Sequence, residues 1–182
     1  MSRVPRIRPA LLLAALLSSG GWVTGCQNGL GAVNPARVVV KAPPPVELQA
    51  GSWSDALLEV TVAEGFHVQA HTVPFSYLIP TRLEMGDADN LEVGDASYPA
   101  GNPYQLTGSQ NTLSVYDGTF FLNVPLRAPA VAPPGLRTVR GTLRYQLCDD
   151  RMCFRPSSVA FELTLRVRTN PGRSEHSPGG RA

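Results

Sequence analysis

Leu143-Arg144-Tyr145-Gln146-Leu147-Cys148-Asp149-Asp150-Arg151-Met152-Cys153-Phe154-Arg155-Pro156 separates two stretches of strict alternation. Upstream, Val139, Gly141, Leu143, Tyr145 and Leu147 alternate with Thr138, Arg140, Thr142, Arg144 and Gln146. Downstream, Val159, Phe161, Leu163, Leu165 and Val167 alternate with Ala160, Glu162, Thr164, Arg166 and Arg168. A period of two marks half-buried strands, and two such strands around a short polar turn predict a β-hairpin. Cys148 and Cys153 then sit at or near its tip, close enough to bond and exposed enough to be attacked. That arrangement is a candidate thiol–disulfide exchange site. A purely structural cross-link is the alternative, but closing so short a loop removes little unfolded-state entropy, worth about 2 kcal/mol.

Working outward, Leu57 to Val62, Phe66 to Ala70, Thr81 to Met85, Leu91 to Val93, Leu113 to Tyr116 and Thr119 to Val124 are further strand candidates. Gly65, Gly86-Asp87, Asp117-Gly118 and Pro133-Pro134-Gly135 separate them as turns. No stretch has helical periodicity. Seven to nine short strands at this spacing predict an all-β fold, an immunoglobulin-like antiparallel β-sandwich with its cysteine pair on a hairpin.

Residues 1–25 have the three parts of a secretion signal: Arg3, Arg6 and Arg8, an apolar core from Ala10 to Leu17, and a small-residue stretch. The apolar core is too short to span a bilayer. Val23-Thr24-Gly25-Cys26 resembles a bacterial lipobox, which makes Cys26 the expected lipidation site and new N-terminus. With Cys26 acylated, the odd count of three cysteines leaves one pair, in an oxidising compartment. Residues 26–50 read as lipid anchor and tether, with Val38 to Val40 a possible edge strand and Pro43 to Pro45 a stiff spacer. Residues 51–168 form the expected domain. From Thr169 to residue 182 the chain loses apolar residues and reads as a disordered tail.

Charge points to no nucleic-acid partner. The formal net charge is +2, and removing Arg3, Arg6 and Arg8 from 16 basic residues leaves one fewer than the 14 acidic ones. Hydrolytic chemistry finds no nucleophile motif around Ser109, Ser157 or Ser158. His67 and His71, with the two thiols, raise a copper or zinc site as an alternative. On a strand, though, residues four apart are separated by about 13 Å. His67 therefore reads as a packing or hydrogen-bonded residue beside Phe66, and no metal or cofactor is expected. A non-redox immunoglobulin-like binding lipoprotein remains the other reading.

Glu64 to Ala70, Tyr77-Leu78-Ile79-Pro80-Thr81, and Leu143 through Cys153 to Pro156, with Val115 to Gly118, resemble the N-terminal periplasmic domain of DsbD, the transmembrane thiol:disulfide interchange protein. The resemblance spans roughly residues 45–168. It implies an immunoglobulin-like fold that carries electrons through Cys148 and Cys153 between a membrane donor and periplasmic thioredoxin-like proteins. Because the chain ends after this region, the donor is expected to be a separate transmembrane protein, with the lipid anchor holding this one at the membrane. The resemblance also implies a loop whose aromatic residue covers the disulfide, for which Tyr98 and Tyr104 are candidates, and a Cys148 that meets partners more directly than Cys153. Tyr145 and Gln146 are expected to shape the site. Asp149 and Asp150 should disfavour a thiolate at Cys148, against Arg151 and Arg155.

Overall fold

The computed structural model describes residues 36–169 apart from 89, 107 and 109. The expected signal, Cys26 and the tail beyond Thr169 lie outside the described residues. In chain order the strands are β1 (Val38–Lys41), β2 (Val46–Gln49), β3 (Trp53–Val62), β4 (His67–Gln69), β5 (Arg82–Met85) and β6 (Glu92–Val93). There follow β7 (Asn102–Gln105), β8 (Thr112–Tyr116), β9 (Thr119–Arg127), β10 (Gly135–Tyr145), β11 (Leu147–Cys148) and β12 (Ser157–Arg168). No helix occurs among the described residues.

Two sheets make the sandwich, ordered β1-β3-β9-β6 and β2-β12-β10-β5. Their inner faces meet in one apolar cluster, with Leu58 and Val60 of β3 and Leu122, Val124 and Leu126 of β9 on one side. Val139 and Leu143 of β10 and Leu163 and Leu165 of β12 supply the other. Burying each of these side chains contributes roughly 1.5–3 kcal/mol, which makes this layer the main source of stability. The outward residues pair instead: Arg140 faces Glu162 at 2.8 Å and Arg144 reaches Glu84 at 3.1 Å. These pairs are exposed and fix register more than they stabilise.

Gly141 breaks the run of side chains on β10 because Phe161 lies directly opposite it. A Cβ there would stand 2.3 Å from Phe161 Cζ, so only glycine lets the ring lie over the strand.

The domain starts earlier than the sequence suggested. β1 pairs with β3, and β2 pairs with β12, so the stretch read as tether is already hydrogen-bonded into both sheets. β2 runs parallel to β12, the exception in an otherwise antiparallel fold, and the Glu47 carboxylate holds Arg166 and Arg168 there.

The third sheet, β11-β4-β8-β7, carries the cysteines. The β10–β12 ladder ends at Tyr145 opposite Ser157. Residues 146–156 then leave it, and β11 pairs with β4. The cysteines lie, as expected, in the connection of the β10–β12 hairpin, and that connection is an excursion that also joins a separate sheet. Gly65, at φ 80°, makes the turn that passes the chain from β3 to β4.

Candidate functional site

Cys148 on β11 lies opposite His67 on β4 and opposite Cys153 across the turn. Phe154 N–H donates to Leu147 O at 2.8 Å and Asp149 N–H to Met152 O at 3.0 Å, bracketing the cysteines as a non-hydrogen-bonded pair. Such pairs bring backbones closest. The Cα atoms are 4.0 Å apart, and the sulfurs are bonded to each other. Asp149 closes the turn: its Oδ1 accepts from Arg151 N at 2.9 Å and Met152 N at 2.8 Å. Those backbone hydrogen bonds hold its carboxyl below the usual range. Asp150 and Arg151 are both exposed, 3.9 Å apart.

The two sulfurs are not equivalent. Cys148 is 1% exposed, whereas Cys153 is exposed beside Met152, which is 58% exposed. This corrects the expectation that both sulfurs are open to attack, and it favours Cys153 over Cys148 as the sulfur that a partner would meet. The reason is topological, because Cys148 is flanked by β4 on one side and the returning limb on the other, while Cys153 on that limb has no described strand beyond it.

Val68 on β4 and Ala70 just after it belong to the main core. Alternation puts His67 and Gln69 on the opposite face with Cys148. Gln69 is fully buried; its Nε2 lies 3.5 Å from Cys148 Sγ and 3.9 Å from Cys153 Sγ, while its Oε1 has no partner. His67 is also buried, with Nε2 unpartnered. Burial lowers its pKa, against smaller raising effects from Asp117 and Asp149, and so favours the neutral ring.

Of the candidate cap aromatics, Tyr104 reaches this face. Its register opposite Leu113, with Val68 opposite Tyr116, would place it about 13 Å along the strand from His67 in a flat sheet. Yet the two rings are 4.2 Å apart. The β7–β8 hairpin therefore curls back over β4. It is seated by a small cluster of Leu78, Leu113 and Val115 with Val73, Phe75 and Leu106. Tyr98 goes elsewhere. It stacks on His71 at 3.8 Å, and its hydroxyl accepts from Leu83 N at 2.8 Å.

Tyr145 is half-buried against the main core, and burial pushes its hydroxyl pKa up. Gln146 ties the excursion down: its Oε1 accepts from Ile79 N and its Nε2 donates to Phe154 O, both at 3.3 Å. Arg37, which sequence reasoning passed over, lays its guanidinium 4.4 Å from the Phe66 ring and 5.5 Å from Phe154. Beside the disulfide runs a groove of about 690 Å³, lined by Phe66, His67, Tyr104, Asp117 and Asp150 among others. His67 and His71 engage different partners, and among the described residues no cluster of histidine, cysteine and carboxylate is suited to hold a metal ion.

A family model for the N-terminal part of the thiol:disulfide interchange protein DsbD matches residues 38–165. No curated protein sequence matches the chain. Among solved structures, the N-terminal periplasmic domain of ScsB from Proteus mirabilis aligns at 15% identity and a TM-score of 0.47, over 69% of this chain and 44% of that one. This chain thus spans less than half the length of that domain. The CssB subunit of the enterotoxigenic Escherichia coli colonization factor CS6, complemented with a CssA donor strand, aligns at 12% identity and a TM-score of 0.41, over 72% of this chain and 97% of that one.

Proposed function

Because the chain belongs to the family of the N-terminal domain of the thiol:disulfide interchange protein DsbD, we propose that it is a periplasmic thiol:disulfide exchange domain working through Cys148 and Cys153. The observation that carries this reading is the disulfide itself, one sulfur buried and the other exposed. A thiolate of a reduced thioredoxin-like protein attacks Cys153 Sγ. The Cys148–Cys153 bond breaks, its electron pair passes to Cys148, and a mixed disulfide joins Cys153 to the partner. The partner's second thiolate then attacks its own bridged sulfur and releases Cys153. The domain leaves with two electrons as a dithiol, and the partner leaves oxidised. In the reverse sense, Cys153 attacks a client disulfide and Cys148 resolves the complex.

Single-cysteine variants test this. Cys148→Ser removes the resolving thiol and should accumulate a covalent complex with a thioredoxin-like protein on non-reducing gels. Cys153→Ser, left with the buried sulfur, should trap far less, and reductant should dissolve every complex. If neither variant traps a partner and the parent's disulfide is reduced only after denaturation, the bond is a staple. A non-redox binding lipoprotein is then the better description.

Membrane attachment through Cys26 completes the proposal, with a separate transmembrane protein as electron donor. Its support is the lipobox-like Val23-Thr24-Gly25-Cys26 after a short apolar core. Mass spectrometry of the mature protein should find Cys26 as the acylated first residue. Soluble protein cleaved elsewhere would remove the anchor from the scheme.

A further inference from the structure

Gln69 is fully buried, but only one end of its carboxamide has partners. Nε2 is aimed at the sulfurs, and Oε1 is left bare. An unsatisfied buried acceptor is costly, and an apolar side chain of similar length would not carry that cost. Disulfide sulfur is a weak acceptor, so the contacts at 3.5 and 3.9 Å return little in the oxidised protein.

The balance changes when the bond opens. Attack at Cys153 makes Cys148 the leaving group, and its thiolate forms where only 1% of the residue meets water. Burial in a low dielectric disfavours that charge. The Asp149 carboxylate follows directly in sequence, and the neutral ring favoured at His67 supplies no positive charge. Among the described residues, the side-chain donor directed at both sulfurs is the Gln69 amide. Its N–H is in place before the reaction begins, so it stabilises the developing charge without reorganising, as a preorganised donor does for an oxyanion.

We propose that Gln69 is a catalytic residue of the exchange, its Nε2 donating to the Cys148 thiolate as that sulfur leaves and its Oε1 accepting an S–H in the reduced dithiol. The inference rests on the exchange reading of the disulfide but concerns the leaving sulfur, not the choice of protein partner. A small dithiol therefore tests it without any protein partner.

The experiment uses the purified oxidised domain, dithiothreitol as reductant and the ultraviolet absorbance of the thiolate as thiol probe. Gln69→Leu and Gln69→Met both remove the amide, and methionine keeps its approximate length. Reduction by dithiothreitol should slow about tenfold, and the redox equilibrium should move about tenfold toward the disulfide. Tenfold corresponds to about 1.4 kcal/mol, close to the lower bound for a hydrogen bond to a charged group. In a Cys153→Ser background, the pH at which the buried Cys148 thiolate forms, read by its ultraviolet absorbance, should rise. Melting temperature should hold or increase, because the bare Oε1 is gone. Whichever variant stays folded decides the matter. Unchanged rate, equilibrium and thiolate titration would make Gln69 a packing residue and overturn the proposal, as would a fall in melting temperature with those readouts unchanged. Failure of the exchange reading looks different: the parent itself would resist dithiothreitol until denatured, whatever stands at position 69, and both ideas would end.

Discussion

Gly101→Val is expected to unseat the hairpin that carries Tyr104 and to pull its ring away from His67, the residue opposite Cys148. At Gly101 a Cβ would stand 2.2 Å from Ser114 Oγ, 2.7 Å from Ala70 Cβ and 3.3 Å from Val115 N. The serine hydroxyl can rotate away. Ala70 Cβ and the Val115 backbone cannot, because Ala70 is packed in the main core and Val115 is paired within the sheet. Restoring ordinary carbon–carbon contact of about 3.5–4 Å needs a shift of roughly 1 Å at the base of β7. Overpacking of this kind costs about 1–3 kcal/mol. For a domain of this size each kcal/mol lowers the melting temperature by roughly 2–4 °C. The Tyr104–His67 contact should be lost, and dithiothreitol should reduce the disulfide several-fold faster than in the parent. An unchanged melting temperature together with an unchanged reduction rate would show that β7 does not depend on this close approach.

Leu143→Ala is expected to give a large loss of stability. Leu143 is fully buried between Leu83 of β5 and Val159 of β12, one turn of the alternation before the chain leaves the ladder for the cysteines. Its truncation leaves a cavity between two long strands whose register is fixed over their whole length, so the walls collapse little. The expected cost is about 2–5 kcal/mol, read as a lower urea midpoint with an unchanged slope. A shift below 1 kcal/mol would mean that the sandwich repacks at this level. Because the sulfurs lie on the third sheet, the folded variant should keep the parent's rate of reduction by dithiothreitol.

The long strands were legible because each writes one buried and one solvated face into the sequence at a period of two. That holds for β3, β9, β10 and β12, and it was enough to give the sandwich. The site was less legible, because it is built from β4, β7 and β11, pieces of two to four residues in which no period can develop. β7 lies in a proline- and glycine-rich stretch without a strand period; its Pro103 is tolerated because β7 is an edge strand. The cysteines declared themselves by count, but the burial of one and exposure of the other depend on a pairing with β4 that spacing does not encode. His67 and Gln69 did leave a trace. They are the two polar residues in a strand buried on both faces, set between apolar Phe66, Val68 and Ala70. Such a pair asks what the polar side chains face, and only the fold answers it. Tyr104 could be told from Tyr98 only once the hairpin was seen to curl.

The unequal burial of the two sulfurs also limits which covalent isomers can exist. A dithiol partner meeting a dithiol domain could in principle be joined through either sulfur of each. With Cys148 buried beside β4 and Cys153 exposed, the proposed exchange would run every junction on this side through Cys153 and leave the alternative isomers unsampled. An exchange built this way has a single order of bond-making and bond-breaking, the same in both directions. A small thiol caught on Cys153 would still leave Cys148 beneath it, held next to the mixed bond and able to expel the adduct. The domain would thus clear its own accidental modifications by the same displacement that the proposed exchange uses.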